Sequence, residues 1–350
     1  MPSNNYFFNL KKCFLIAEIG VNHNGDMALA KEMIDAASES GADAVKFQTF
    51  KAENLVSQGT PKVKYQESTT SPEESHFEMI KSLELSYDNH FLLKDYCVKK
   101  DIKFLSTPYD VECAQFLHDE LKVEVFKTAS ADLVDLSLHE YIASTGKPSI
   151  VSVGMATLGE IEENLSIYKS FQHSDIILLH CVSNYPCAHE NLNLRVLETL
   201  KQAFDLPVGY SDHSIGSEAA VLSIGLGAKI IEKHFTLDKN ISGPDHLASS
   251  TPDEFKSLAD SVRRAEKILG SSVKVCQQEE RQMAEVSRKS IFLKNDMHKD
   301  DIIHKDDLIT MRPGTGISPL NIKEIKGMRI NQNLSQGTKL NWSHLAGEIL

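Results

Sequence analysis

Short, near-continuous apolar runs alternate along this chain with longer segments in which apolar residues recur every three or four positions. The runs read FLIAEIG (14–20), AVKFQTF (44–50), IKFLSTP (102–108), VEVFKTAS (123–130), SIVSVGM (149–155), DIILLHCVS (175–183), PVGYSDH (207–213) and KIIEKHFTL (229–237). Between them lie amphipathic segments such as DMALAKEMIDAASESG, DVECAQFLHDEL, LGEIEENLSIYKSF and PDEFKSLADSVRRAEKILG. Strands apolar on both faces and separated by helices predict a parallel sheet covered by helices. Eight such units by residue 270 predict an α/β chain closed into a (β/α)8 TIM barrel, a fold of about 250 residues. An open doubly wound sheet would not need eight units, and no GxGxxG follows the first run. Helix punctuation agrees. Asp26 is placed to cap the first helix after the Asn24-Gly25 turn, and Gly41, Gly146 and Gly270 stand where helices should stop.

Two stretches depart from the alternation. Residues 51–82 form a long polar insert after the second strand, on the carboxyl side where barrel active-site loops belong; it reads as a substrate lid or as a solvated loop. After Gly270 the periodicity ends. Residues 271–287 read as a polar linker, and 288–350 as a small β-rich domain of short pieces (SIFLK, LITM, IKGMRI) around the turn-rich MRPGTGISP (311–319). The expected layout is therefore 1–270, 271–287 and 288–350.

Composition narrows the possibilities. A hydrophobic fraction of 41% is ample for a core, and no run approaches membrane-spanning length. The net charge of -12, from 37 basic and 49 acidic residues, comes without a basic cluster, so neither nucleic acid nor membrane is an expected partner. An anionic substrate would have to be held by a few inward lysines or arginines. The start, MPSNNYFFNLKK, lacks a signal-peptide pattern. The six cysteines (13, 97, 113, 181, 187, 276) include no CxxC and fit reduced thiols, so a cytoplasmic location is expected. His180, Cys181, Cys187 and His189 make a poor zinc cluster, because adjacent strand residues face opposite ways.

Chemistry concentrates at the carboxyl ends of the strands, where barrel active sites are built. Side-chain alternation puts Glu18, Lys46 with Gln48, Thr107, Lys127, Ser183, Ser211 with His213, and Glu232 with His234 on inward-facing parity. Ser130, Asp132 and Tyr185 follow in adjoining loops. Polar groups inside a barrel are costly unless partnered. Glu18, Lys46, Lys127 and Glu232 could form a purely structural ion-pair network. His213 and His234, at the ends of adjacent parallel strands, read either as the start of an open metal site or as hydrogen-bonded histidines. Two lysines among hydroxyls can hold a phosphate or carboxylate. A metal could polarise a carbonyl, and Glu18 could orient or deprotonate water. A Schiff-base lysine at 46 or 127 gives an aldolase instead. A non-catalytic sugar-binding protein is a third class, though it would not need both lysines, both histidines and Glu18.

The motifs AEIGVNHNGDMALAKEMIDAASESGADAVKFQTFKAENL, FLSTPYD, LHCVSNYP, GYSDHSIG and IEKHFTLDKNISGPDHLAS closely resemble the bacterial sialic acid synthase family, in order and over nearly the whole chain. The tail from Arg288 resembles that family's antifreeze-like (SAF) domain. The resemblance implies condensation of phosphoenolpyruvate with an N-acylated hexosamine, in the first instance open-chain N-acetylmannosamine, to give N-acetylneuraminate and phosphate. It further implies a divalent metal (manganese foremost, magnesium or cobalt otherwise) on His213 and His234, with Glu18, Lys46 and Lys127 also catalytic. Phosphoenolpyruvate would be bound by Lys46, Thr107, Lys127, Ser130, Ser183 and Ser211, and the sugar by Gln48, Asp132, Tyr185, Asp245 and Arg312. In this family Arg312 comes from the partner subunit, which implies a domain-swapped homodimer. Two positions depart from the pattern. Ser130-Ala131-Asp132 stands where many members have Ser-Gly-Glu, and Ser183-Asn184 where some have an asparagine one position earlier. Synthases of legionaminic and, more distantly, pseudaminic acid share the motifs; the sugars differ at carbons 4 and 6, which no motif reads out.

Overall fold

A computed structural model describes residues 6–62, 70 and 73–346. The chain divides into two compact units, 1–270 and 271–350. In the first, eight strands run β1 (Phe14–Gly20), β2 (Ala44–Thr49), β3 (Lys103–Pro108), β4 (Phe126–Thr128), β5 (Ser149–Ser152), β6 (Ile176–His180), β7 (Val208–Asp212) and β8 (Ile230–His234). They form one sheet in the order β3-β2-β1-β8-β7-β6-β5-β4. Every laddered pair is parallel. β3 and β4 lie against each other without a ladder, so the sheet curls into a nearly closed barrel.

Local signals account for most element ends. The Asp26 carboxylate accepts from the Ala28 and Leu29 amides and starts the helix Met27–Glu39, while Gly41, Gly146 and Gly270 adopt positive φ just past helix ends. The fourth strand is shorter than its apolar run. The Val123 amide is tied back to the preceding helical segment, donating to the Leu117 carbonyl, and only Phe126–Thr128 enter the ladder.

Inward residues are layered. Ile16, Leu105, Ile150, Ile177, Leu179 and Ile230 fill the amino-terminal half of the barrel, closed from below by Phe7 of the turn Tyr6–Asn9. Fully burying each such side chain contributes roughly 1.5–3 kcal/mol. Outward residues of the strands pack under the surrounding helices in two larger clusters. Above the apolar layer the interior turns charged.

The insert 51–82 carries two short helices, Ala52–Leu55 and His76–Ser82; the part of it read as lid or loop at 63–69 and 71–72 lies outside the described residues. The second unit pairs β9 (Ser290–Leu293) with β10 (Leu308–Met311) and β11 (Arg329–Ile330) with β12 (Leu345–Ala346), both antiparallel, around a core including Ile291, Ile303, Ile325 and Leu340. The stretch expected as a linker is grouped with the second unit, and its later half is ordered against that unit. Residues 271–279 carry no helix or strand, whereas Glu280–Ser287 is a helix whose Glu285 carbonyl accepts from the Gly314 amide. Among the described residues no helix is long and apolar enough to cross a membrane.

Candidate active site

At the carboxyl ends of the strands lies a cavity of about 470 Å³. Its floor is an ion-pair network. Glu18 stands in register with Lys46 on β2 and with His234 on β8. Lys46 Nζ is 2.6 Å from Glu18 Oε2 and 3.9 Å from Glu232 Oε2, and it donates to Thr107 Oγ1 at 2.9 Å. Lys127 Nζ lies 3.5 Å from Glu232 Oε1 and donates to Ser152 Oγ at 2.7 Å. Ser211 Oγ donates to Glu232 at 3.0 Å, and Gln48 Nε2 to Glu18 at 3.3 Å. All four charged side chains are buried.

Two carboxylates sharing two lysines do not titrate alike. Burial pushes Glu18 up to about 7, with Lys46 opposing and the Glu232 charge adding to the rise. Burial also works against Glu232, yet Lys127, Lys46 and the Ser211 hydroxyl together hold it well below the usual carboxylate range. Burial lowers Lys127 too, with Glu232 acting against it. Environments that drive two carboxylates apart separate a proton-exchanging group, Glu18, from a permanently charged one, Glu232.

Beside the lysines is a small cradle. Gly154 donates its amide to Ser130 Oγ at 2.9 Å. A Cβ on Gly154 would meet Cys181 Sγ at 2.7 Å, Ser183 Oγ at 2.8 Å and Ser130 Oγ at 3.0 Å. Glycine is needed there because those side chains already occupy the place a Cβ would take; the Ser130 and Ser183 hydroxyls so gathered line the cavity together with Lys127, a combination that suits an anion.

The two histidines meet at the rim. Their ring centroids are 5.7 Å apart, and the Tyr185 ring sits 4.2 Å from His213 and 5.4 Å from His234. His213 Nδ1 bonds the Val182 carbonyl at 2.7 Å, which makes Nδ1 the protonated nitrogen and leaves Nε2 bare, 3.3 Å from Ser211 Oγ. Among the described residues His234 Nδ1 is buried with no hydrogen-bond partner, and it lies 4.0 Å from Asp245 Oδ2. Burial pushes His213 down to about 4 and, with neighbouring His213 contributing, also holds His234 well below the usual imidazole range; both are neutral imidazoles. Beneath them, on the helix-facing side, Lys233 donates to Asp212 and to the Ser214 carbonyl, each at 2.7 Å, tying β8 to the end of β7. Among the described residues no three His, Cys, Asp or Glu side chains gather as a metal cluster. Two neutral nitrogens with an oriented tautomer still fit a divalent ion whose remaining positions go to water and substrate.

One wall of the cavity is different in kind. Val21, Phe50, Leu55, Val56, Ile80 and Leu83 line it, with Tyr109 and His76 among them. Sequence reasoning found the floor and missed this wall, along with Ser152 and Gly154. Leu55, Ile80 and Leu83 look like any packed apolar residue until the insert is seen folded over the mouth. Of the expected site residues, Glu18, Lys46, Gln48, Thr107, Lys127, Ser130, Ser183, Tyr185, Ser211, His213, His234 and Asp245 line one cavity. Asp132 is not among its lining; burial and Asp135 push its carboxyl up to about 7. Arg312 is exposed in the second unit. A second cavity, about 560 Å³, opens at the amino-terminal end. Two of its lysines are already paired, Lys12 with Asp43 and Lys103 with Glu124, and it holds no comparable constellation.

A parallel barrel with a cationic, hydroxyl-rich floor, two unlike buried carboxylates and two neutral imidazoles at its mouth has the groups that an enzyme acting on a small anion would use. The chain belongs to the NeuB family, whose sequence model matches residues 33–274, and so to the synthases of nonulosonic acids. It is 45% identical over 95% of its length to an N,N'-diacetyllegionaminic acid synthase of Legionella pneumophila, covering 94% of that protein. A Campylobacter jejuni synthase of the same name is 43% identical over 93% of the chain and 98% of that protein. Among solved structures, an N-acetylneuraminic acid synthetase of Leptospira borgpetersenii in complex with citrate superposes with a TM-score of 0.71. It is 38% identical, covering 79% of this chain and 91% of that one.

Proposed function

We propose that this enzyme condenses phosphoenolpyruvate with an open-chain 2,4-diacetamido-2,4,6-trideoxyhexose, giving a legionaminic-type acid and phosphate, rather than using the N-acetylmannosamine that the sequence motifs first suggest. The observation that carries the choice is the apolar wall facing the charged floor. Against Leu55, Val56, Ile80 and Leu83 the extra hydroxyls of N-acetylmannosamine would go unpaired, whereas a C6 methyl and an acetamido methyl would be buried favourably. The two legionaminic acid synthases among the relatives support the same reading.

In this reading Lys127, Ser130 and Ser183 hold the phosphate, with the Gly154 amide orienting the Ser130 hydroxyl, and Lys46 with Thr107 and Ser211 holds the carboxylate. Carbon 3 of phosphoenolpyruvate bonds to the aldehyde carbon, water adds at carbon 2, and the C–O bond to phosphate breaks from the tetrahedral intermediate. Glu18 takes the proton from that water, for which a pKa near operating pH suits it. Glu232 stays ionised and keeps the lysines charged. His213 and His234 would hold the divalent ion, manganese foremost, which supplies polarisation of the aldehyde. Gln48, Tyr185 and Asp245 line the path of the sugar chain. Arg312 is read as contacting the amide at carbon 2 from the partner subunit of a domain-swapped homodimer.

The test is phosphate release from phosphoenolpyruvate with the trideoxy sugar, with and without chelator and borohydride. Chelator-sensitive, borohydride-insensitive release is expected. Chelator-resistant turnover with a lysine trapped by borohydride would instead move the chemistry to a Schiff-base aldolase.

A further inference from the structure

We propose that His76 reads the acetamido group at carbon 4 of the sugar, a specificity contact supplied by the insert rather than by the barrel. The inference rests on the trideoxy-sugar reading above. His76 opens the helix His76–Ser82, whose first turn is fixed by a reciprocal cap: Glu78 N donates to Ser75 Oγ at 3.2 Å and Ser75 N to Glu78 Oε2 at 2.9 Å. Met79 and Leu83 anchor the helix to Val21 and Phe50 at the barrel mouth. His76 and Ile80 are one turn apart, so they share a helix face, and both line the cavity.

His76 Nδ1 is buried and, among the described residues, has no hydrogen-bond partner. Burial, with a contribution from the Lys62 charge, lowers the ring's proton affinity, so it is a neutral imidazole with one donor and one acceptor nitrogen. A buried polar atom left unpaired is destabilising, and a ligand that completes it recovers that loss. The neighbours restrict what the ligand can be. Leu55, Val56 and Ile80, which line the same cavity, offer apolar surface, so a group that joins one polar function to a methyl is the one best suited to enter beside His76. An acetamide does this: its N–H or carbonyl meets Nδ1 while its methyl packs on the aliphatic side chains. A bare hydroxyl would satisfy the nitrogen and leave the apolar surface uncovered.

The experiment compares wild type, His76→Leu and His76→Gln with 2,4-diacetamido-2,4,6-trideoxymannose and with N-acetylmannosamine, following KM for each sugar, KM for phosphoenolpyruvate and kcat. His76→Leu should raise KM for the diacetamido sugar about tenfold, the effect of leaving one polar group unpaired. Its kcat and its KM for phosphoenolpyruvate and N-acetylmannosamine should stay within about twofold on the same scale. His76→Gln, which still donates and accepts, should restore most of the lost affinity. An unchanged ratio between the two sugars in His76→Leu, or an equal loss for both, overturns the inference alone when wild type prefers the diacetamido sugar. A wild type that prefers N-acetylmannosamine overturns the substrate reading and the inference with it.

Discussion

The floor and the wall of the cavity are built on opposite principles. The floor is made of strand-end residues, every one of its four charges buried and tied to a neighbour within a few ångströms. The wall is made largely of an insert between β2 and β3, is mostly aliphatic, and among the described residues leaves a buried nitrogen unpaired. Ion pairs buried inside a barrel are not a route to stability, because desolvation offsets much of the attraction. Their retention points to chemistry common to any substrate of this kind. An apolar wall contributes little to chemistry and can discriminate between sugars by what it refuses to solvate. On the proposed reading, catalysis and selection are carried by different parts of the chain, and substitutions should separate them.

The largest effect should come from the floor's rim. His213→Ala removes an oriented imidazole that cannot be replaced from solvent, and kcat should fall by at least about a thousandfold, with added manganese not restoring it; steady-state phosphate release checks this. Manganese titration of the folded variant should show weakened binding.

Glu18→Gln should lower kcat by about a hundredfold or more, the usual contribution of a positioned acid–base group. It should also change how stability depends on pH in the metal-free protein. Glu18 has a folded pKa of about 7, above its ordinary value. Its favourable linkage is therefore complete below the unfolded pKa and lost as pH rises through the folded one. Wild type should lose up to about 3 kcal/mol between pH 4.5 and pH 8 that Glu18→Gln keeps. Thermal melts of both proteins at the two pH values measure it, and parallel curves would contradict the assigned environment. Wall substitutions should leave this pH dependence untouched.

Gly154→Ala tests the cradle. The new methyl must displace Cys181, Ser183 or Ser130, and overpacking of that size costs about 1–3 kcal/mol. KM for phosphoenolpyruvate should rise about tenfold or more by that amount, with KM for the sugar little changed. The smallest effect belongs to the wall. Val56→Ser should leave KM for phosphoenolpyruvate alone and shift the ratio of kcat/KM between the two sugars severalfold towards N-acetylmannosamine, since about one aliphatic group's worth of burial is at stake.

The same contrast explains what could be read from the chain. The barrel was legible because strand and helix periods differ and repeat eight times. The floor was legible because inward parity at strand ends picks out Glu18, Lys46, Lys127, Ser211 and His234 without further knowledge. Where apolar runs overstate a strand, as at Val123, a backbone group is already engaged by the preceding helical segment. Phe7, in a segment with no evident pattern, turned out to close the bottom of the barrel. The wall was illegible for a physical reason. Leu55, Val56 and Ile80 carry no chemistry that marks them, and only the folding of the insert back across the mouth gives them a substrate to face. Asp132, picked out by its neighbours in sequence, sits in a turn outside the cavity lining.

The most direct test of this division is a competition: equal concentrations of 2,4-diacetamido-2,4,6-trideoxymannose and N-acetylmannosamine with limiting phosphoenolpyruvate, products resolved by mass spectrometry. The account predicts the diacetamido product in at least about tenfold excess, the discrimination an apolar pocket and one polar contact can supply. Equal amounts, or an excess of N-acetylneuraminate, would show that the wall does not choose the sugar.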